Sequence, residues 1–293
     1  MRCFYYFNIL FLLVFIKVNA QQGSPFTLSL DYFPDNNGKK PAMLNSNFSL
    51  NMPVHRDTLF TCITGTNFKY FKLNLQEDSL NINNLYSWSM PVTGILRISP
   101  NKIITLLVEP IISSDFKDIS VSDFRYNLAL FYVKKKNLNS TLGIGIAFSK
   151  KFSGFQLVPL CLVNMRFGNR WILSGTIPFK SKLAYEIKNK KQVGISFGVN
   201  SNSFRLSEID NNCYMDYQAI EVSIFYQQPL LKHFKWNVNL GMQSTQIEIY
   251  GENQTSPLSI FPLFKNKLVN PIESFKNKGM LLFQVNFSYA LFE

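Results

Sequence analysis

Apolar and polar positions alternate in twos along most of this chain, in segments separated by short polar stretches. Phe26, Leu28, Leu30 and Tyr32 share one face opposite Thr27, Ser29 and Asp31, and the segment ends at a Pro-Asp-Asn-Asn-Gly loop beginning at Pro34. A period of two marks a strand with two unlike faces. The same reading predicts strands over Asn47 to Val54 and from Leu59 to about Leu73. Trp88, Met90, Val92, Leu96 and Ile98 oppose Ser87, Ser89, Thr93 and Arg97, and a Ser-Pro-Asn-Lys turn at Ser99 to Lys102 reverses the chain. Ile104, Leu106, Val108 and Ile112 then oppose Thr105 and Glu109, and Tyr126, Leu128, Leu130 and Tyr132 oppose Arg125, Asn127 and Ala129.

In the middle, Leu142, Ile144, Ile146 and Phe148 alternate with Gly143, Gly145, Ala147 and Ser149, so one face is bulky and the other nearly bare. Val193, Ile195, Phe197 and Val199 repeat this against Gly194, Ser196, Gly198 and Asn200. Between them the pattern weakens: Pro159 and Pro178 interrupt it, and Trp171 to Pro178 with Lys182 to Lys188 reads as a hairpin or as an excursion at a barrel end. Ile220, Val222, Ile224 and Tyr226 oppose Ala219, Glu221 and Ser223, and Phe234, Trp236, Val238, Leu240 and Met242 oppose Lys235, Asn237, Asn239 and Gln243. Around Ser244 the apolar phase is expected to switch, at a bulge or where the strand leaves a membrane, because Ile247 and Ile249 become the large residues. A long connection is expected from Gly251 to Lys278. In the last stretch, Met280 to Phe292, Leu281, Phe283, Val285, Phe287, Tyr289 and Leu291 share one face, with Leu282 and Phe292 as exceptions. Alternation over about eleven residues is the length a tilted strand needs to cross a bilayer.

These segments predict an all-β fold. A soluble sandwich buries its bulky face inward, whereas a membrane barrel turns it to lipid and points small or polar residues into the lumen. One apolar face per strand over the whole chain would need a very large soluble core, and a bilayer supplies that partner instead. The expected fold is a transmembrane antiparallel β-barrel of about 12 strands, or 14 with the central hairpin. Short joins at His55 to Thr58, Ser99 to Lys102, Lys134 to Asn137 and Pro229 to His233 fall on one side. Longer ones at Pro34 to Leu44, Leu75 to Asn84, Ser113 to Asp123, Ser207 to Tyr214 and Gly251 to Lys278 fall on the other, which places both termini in the periplasm.

Residues 1–20 read as a cleavable signal peptide: Arg2 supplies charge, Phe4 to Ile16 an apolar core, and Val18-Asn19-Ala20 the cleavage site. That core is too short for the roughly 20 apolar residues of a spanning helix, and no later stretch offers such a run. Residues 21–293 are then one barrel domain. With 15% aromatic and only 16% charged residues, the chain is apolar enough to face lipid without a helical span. The net charge of +12 points to anionic head groups rather than to nucleic acid, which an exported chain does not meet and for which no motif is present. Cys62, Cys161 and Cys213 have neither CxxC spacing nor nearby paired histidines, so no disulfide framework, metal site or cofactor is expected.

The closing strand resembles that of a Gram-negative outer-membrane β-barrel, and the whole mature chain resembles a small barrel of that kind. The stretch Val158 to Leu206, with its spacing of Pro159, Trp171, Pro178 and Tyr185, is similar to uncharacterised barrel families of unknown function. The resemblance implies a place in the cell outer membrane, contact with outer-membrane lipid and lipopolysaccharide, and assembly by the barrel-assembly machinery through Met280 to Phe292. It implies nothing about a substrate.

Function, on this reading, resides in the lumen. Strand parity points Asp31, Arg97, Glu109, Arg125, Glu221 and Lys235 inward, with Asn127, Asn237, Asn239, Gln284 and Asn286 among them. Mixed charges either line a path for small polar solutes or pair across the barrel and close it. The leading expectation is a passive or ligand-selective transport barrel for a small solute. The alternative is a closed structural or surface-interaction barrel acting through its loops, and an outer-membrane hydrolase stands third. An enzyme is not expected: His55 and His233, the only histidines, both fall in short turns.

Overall fold

The computed structural model describes residues 24–34, 41–73, 84–137, 139–207, 213–230, 233–251, 254, 256–260 and 270–289. The expected signal peptide, the tips of several long loops and the end of the closing strand beyond Tyr289 lie outside the described residues.

The strands in chain order are β1 (Phe26–Pro34), β2 (Pro41–Arg56), β3 (Phe60–Leu73), β4 (Asn84–Ser89), β5 (Val92–Ser99), β6 (Lys102–Ser114), β7 (Phe124–Asn137) and β8 (Ser140–Lys151). They continue as β9 (Gly154–Phe167), β10 (Trp171–Ile177), β11 (Lys180–Glu186), β12 (Gln192–Leu206), β13 (Cys213–Pro229), β14 (Phe234–Tyr250), β15 (Ser256–Ile260) and β16 (Glu273–Tyr289). β1 and β16 close the sheet on itself, with Phe26 facing Tyr289 and Tyr32 facing Phe283. β4 and β5 are two lengths of one stave, since both pair with β3 on one side and β6 on the other. The break falls at Met90 and Pro91, where proline has no N–H for the ladder. Backbone bonds from Met90 N to Pro110 O (3.1 Å) and from Gly65 N to Pro91 O (2.9 Å) hold the two halves in line. Counting β4 and β5 once and setting aside β15, the sixteen strands make a closed antiparallel barrel of fourteen staves. That is the larger of the two numbers expected, because β10 and β11 form part of the wall.

Away from the end that carries the long loops, the bulky faces of the strands point outward. Ile144, Ile224, Leu240, Met242 and Leu281 are all more than half exposed. On β14 the outward apolar run from Phe234 to Met242 spans about 27 Å along the strand and about 21 Å along the barrel axis at a tilt of ~40°. The apolar band of a transmembrane barrel is about 25 Å tall. Aromatic pairs bracket this band. Trp171 meets Tyr185, Tyr226 meets Trp236 and Phe234 meets Tyr289 near the end that carries the short turns. Tyr126, Phe148 and Phe155 form a row toward the other end. The two ends are called the turn end and the loop end below. Phe26 and Tyr289 sit at the turn end, and the joins that follow β1, β3, β6, β12 and β14 sit at the loop end.

One expectation is met and one is corrected. The irregularity expected around Ser244 is present and the large residues change face there, while the alternation of β14 itself continues: Gln243, Thr245, Ile247 and Ile249 are buried on the same inner face. A bulge does sit opposite, since Gln243 faces Met280 and Thr245 faces Asn277, and Gly279 takes the positive φ of 73° that the extra residue on β16 requires. What changes at Ser244 is the chemistry of the inner face, polar before it and apolar after. The connection expected to run to Lys278 is shorter, because β15 interrupts it and β16 already begins at Glu273.

Candidate functional site

Apolar side chains pack together in the interior at the loop end. Phe33, Phe71, Leu85, Phe204, Met215, Tyr217, Ile249 and Leu282 belong to one buried cluster contributed by strands from β1 around to β16. The cluster spans the lumen: the Phe71 ring of β3 meets Phe204 of β12 edge-on at 5.3 Å and Tyr217 of β13 at 5.5 Å. β12 bends inward here, so that Ser203, Phe204, Arg205 and Leu206 are buried on both faces of the strand. Arg205 pairs with Ser114 of β6 on the opposite wall.

The segment joining β6 to β7 is folded against this bridge. Arg205 Nε donates to Asp123 Oδ1 at 2.5 Å, and its Nη2 donates to the backbone oxygen of Asp118 at 2.6 Å and to Asp118 Oδ2 at 3.1 Å. Asp123 is fully buried, and its second oxygen accepts the Ser120 N–H at 2.9 Å in a reciprocal cap. Asp115 accepts the Ser207 hydroxyl. Both partners of the Arg205–Asp123 pair therefore have further hydrogen bonds, which a buried charge needs.

Toward the middle the inner face becomes polar. Glu109 accepts from Ser89 Oγ at 2.7 Å, Asn127 Nδ2 at 2.9 Å and Asn67 Nδ2 at 3.3 Å, so strands β3 to β7 are joined through one carboxylate. Arg125 stacks its guanidinium over Phe152 at 4.7 Å and faces the charges of Asp216, Asp123 and Glu109 at longer range. Lys69 reaches across the lumen to Asn202 at 3.2 Å. Asp31 accepts from Gln284 Nε2 at 2.7 Å, Gln284 accepts from Asn239 and from Asn286, and Asn237 donates to Asn239 at 2.8 Å. Glu221 accepts from Asn200 at 3.0 Å, and both Asp31 and Glu221 face Lys180.

The six residues singled out by parity thus fall into separate groups. Glu109 and Arg125 attract each other at longer range, whereas Asp31 and Glu221 are like charges in a second region. Arg97 stands apart near the turn end, with Nη1 3.4 Å from the Thr58 backbone oxygen, and Lys235 lies opposite Pro229 and Ser288 at the same end. Among the described residues, Arg205 pairs across the barrel with Asp118 and Asp123, and parity does not single out these three. His55 packs on Phe60 and His233 on Tyr289.

At the turn end a cavity of about 700 Å³ opens among the joins β5–β6, β7–β8 and β9–β10. Lys135, Lys136, Arg166, Asn101, Asn137 and Asn164 line it. Arg166 is tied to Glu186 at 2.8 Å, leaving a mouth rich in cations and amides. The run Lys134 to Lys136 reads from the sequence as a solvated turn, but Lys135 shares the inner face of β7 with Ala129 and Val133 and lines the cavity together with Lys136. No cluster of His, Cys, Asp and Glu able to hold a metal occurs among the described residues.

Comparison with solved structures finds low likeness over most of the chain. A structure from work on the mechanism of in-meso crystallization of membrane proteins is 9% identical, with a TM-score of 0.35 over 91% of this chain and 83% of that one. The outer membrane protease OmpT from Escherichia coli is 9% identical, with a TM-score of 0.21 over 90% of this chain and 91% of that one. The ferric-catecholate import receptor Fiu from E. coli K12, in its open form, is 7% identical, with a TM-score of 0.27 over 94% of this chain and 54% of that one. A comparison with curated proteins found no match. One family model matches residues 24–278, and the chain belongs to that family, described as Domain of unknown function (DUF6268).

Proposed function

We propose that this protein is an integral outer-membrane β-barrel serving ligand-selective transport of a small solute, with a lumen closed to free aqueous diffusion at rest. The apolar outer belt and its aromatic borders support the membrane reading, because an outward apolar band flanked by aromatic rings is the surface a bilayer covers. The turn end then faces the periplasm and the loop end the exterior, as short turns and long loops are arranged in such barrels.

The observation that carries the closed state is the contact of Phe71 with Phe204 and Tyr217 across the lumen. Fourteen staves enclose more space than the eight whose side chains just fill a barrel. An open passage would have left these rings facing water. The basic cavity at the turn end supports a transport role over a purely structural one, since a scaffold has no need of a polar chamber on one side of an apolar seal.

Purified protein reconstituted into vesicles tests this by osmotic swelling in small neutral sugars. Vesicles carrying the barrel are expected to swell no faster than empty ones. Swelling that scales with the amount of inserted protein would overturn the closed state and restore an open pore.

A further inference from the structure

The barrel wall is interrupted near the loop end. β10 and β11 are short, and their ladders stop at Ile177–Cys161 on the β9 side and at Lys180–Gly198 on the β12 side. Beyond those points β9 continues over residues 154–160 and β12 over residues 199–206, and among the described residues no ladder joins the two. The floor of the gap is the β10–β11 turn, where Val199 N donates to Phe179 O at 2.8 Å. Its roof is the β8–β9 turn: Lys151 Nζ donates to Ser201 Oγ at 2.6 Å, and the Phe152 ring stacks on Tyr214 at 4.9 Å.

The gap separates two apolar surroundings. Outside it, Phe155 and Ile177 are exposed on the lipid-facing side. Inside it lies a small buried cluster of Ala129, Ala147, Val158 and Leu160, with Phe131 and Phe179 packed against it. This cluster belongs to a different part of the lumen from the apolar seal around Phe71.

An unpaired strand edge at membrane depth needs a cover. β15 provides it by pairing in parallel with β9, Leu258 opposite Phe155 and Ile260 opposite Leu157, with the Ser259 hydroxyl on Phe155 O at 3.3 Å. That ladder has four residue pairs and a register shift, against twelve pairs in the β8–β9 ladder on the other edge of the same strand. The cover is therefore the weaker of the two attachments and the one that can leave without unzipping the wall.

From this we infer that the gap is a lateral window, with β15 as its displaceable strap, through which an apolar solute dissolved in the bilayer reaches the lumen. The inference rests on the membrane reading above. It names the solute as one that partitions into lipid, and it supplies an entry that the sealed loop end does not.

The test uses the full mature chain in vesicles, with Val158→Cys as a reporter beside the window and the native cysteines kept. N-phenylmaleimide dissolved in the bilayer and a sulfonated, water-soluble maleimide are compared, with labelling resolved residue by residue. Loosening the strap with L258G/I260G is expected to speed labelling at position 158 by the lipid-dissolved reagent by about tenfold or more. Cys161, exposed on the wall, should react from the bilayer at the same rate in both, and Cys213, buried in the separate cluster around Phe71, should stay unreactive in both. Equal labelling at position 158 with and without the strap overturns the window, as does a parallel rise at Cys213, which would mean general loosening. Reaction of Cys161 with the water-soluble reagent alone removes the membrane reading, and the window with it.

Discussion

Arg205 and Asp123 stand 82 positions apart in the chain and 2.5 Å apart in space, joined inside the barrel as a buried ion pair. Arg205 comes from the inward bend of β12, and Asp123 from the segment leading into β7 on the opposite wall. The pair fixes that segment across the loop end, so its loss is expected to affect both stability and closure.

Arg205→Ala leaves the fully buried carboxylate of Asp123 without its cation, which costs about 3–5 kcal/mol. Denaturant unfolding of the detergent-folded barrel should show this loss. The double variant R205M/D123L removes both charges and is expected to be markedly more stable than R205A alone. Equal destabilisation of the two would show that the pair is not buried as described.

Phe71→Ala removes the ring that meets Phe204 and Tyr217 and is expected to cost about 3–5 kcal/mol as a cavity. Phe71→Leu should recover much of that loss. Surface apolar residues of the same strand, such as Phe60, should lose far less in detergent, because their side chains face outward.

Ile144 is 69% exposed. In a soluble protein Ile144→Arg would change stability by about 0.5 kcal/mol or less. On the lipid face of a barrel it is expected to cost about 2–4 kcal/mol near the bilayer midplane. Unfolding from vesicles distinguishes the two directly, and an effect as small as the first would contradict the membrane reading.

Much of the wall was legible in the sequence because the two faces of each strand differ so sharply. Ile144 against Gly145 and Phe287 against Asn286 set both strand and orientation, and the spacing of short and long joins set the two ends. The seal was harder to see, although it left a trace. Leu282 appears in the alternation as an exception and Ile247 as an apparent change of phase, yet both are large residues on the inner face, and both are buried in the seal. Phe33 and Phe71 carry the same signal. Read as irregularities of the lipid face they explain nothing; as inward bulk they announce a filled lumen. The inward bend of β12 left no such trace, because Phe204 and Arg205 are buried on opposite faces of one strand and no period describes that. The short reach of β10 and β11 was legible only as a weakened pattern around Pro159 and Pro178.

The cations lining the turn-end cavity make a prediction about selectivity. When the seal is opened by R205A/F204A, current through the barrel is expected to favour anions, since Lys135, Lys136 and Arg166 stand at the mouth. K135E/R166E in the same background should move the reversal potential toward cations. An unchanged reversal potential would show that this mouth does not lie on the path.

Single-channel recording in a planar bilayer tests the closed lumen most directly, with insertion verified independently for each preparation. The native barrel is expected to remain silent, while R205A/F204A, which weakens the bridge between β12 and β6, is expected to give salt-dependent steps. Steady steps from the native protein, of the same size as those of the variant, would contradict a lumen sealed by Phe71, Phe204 and Arg205.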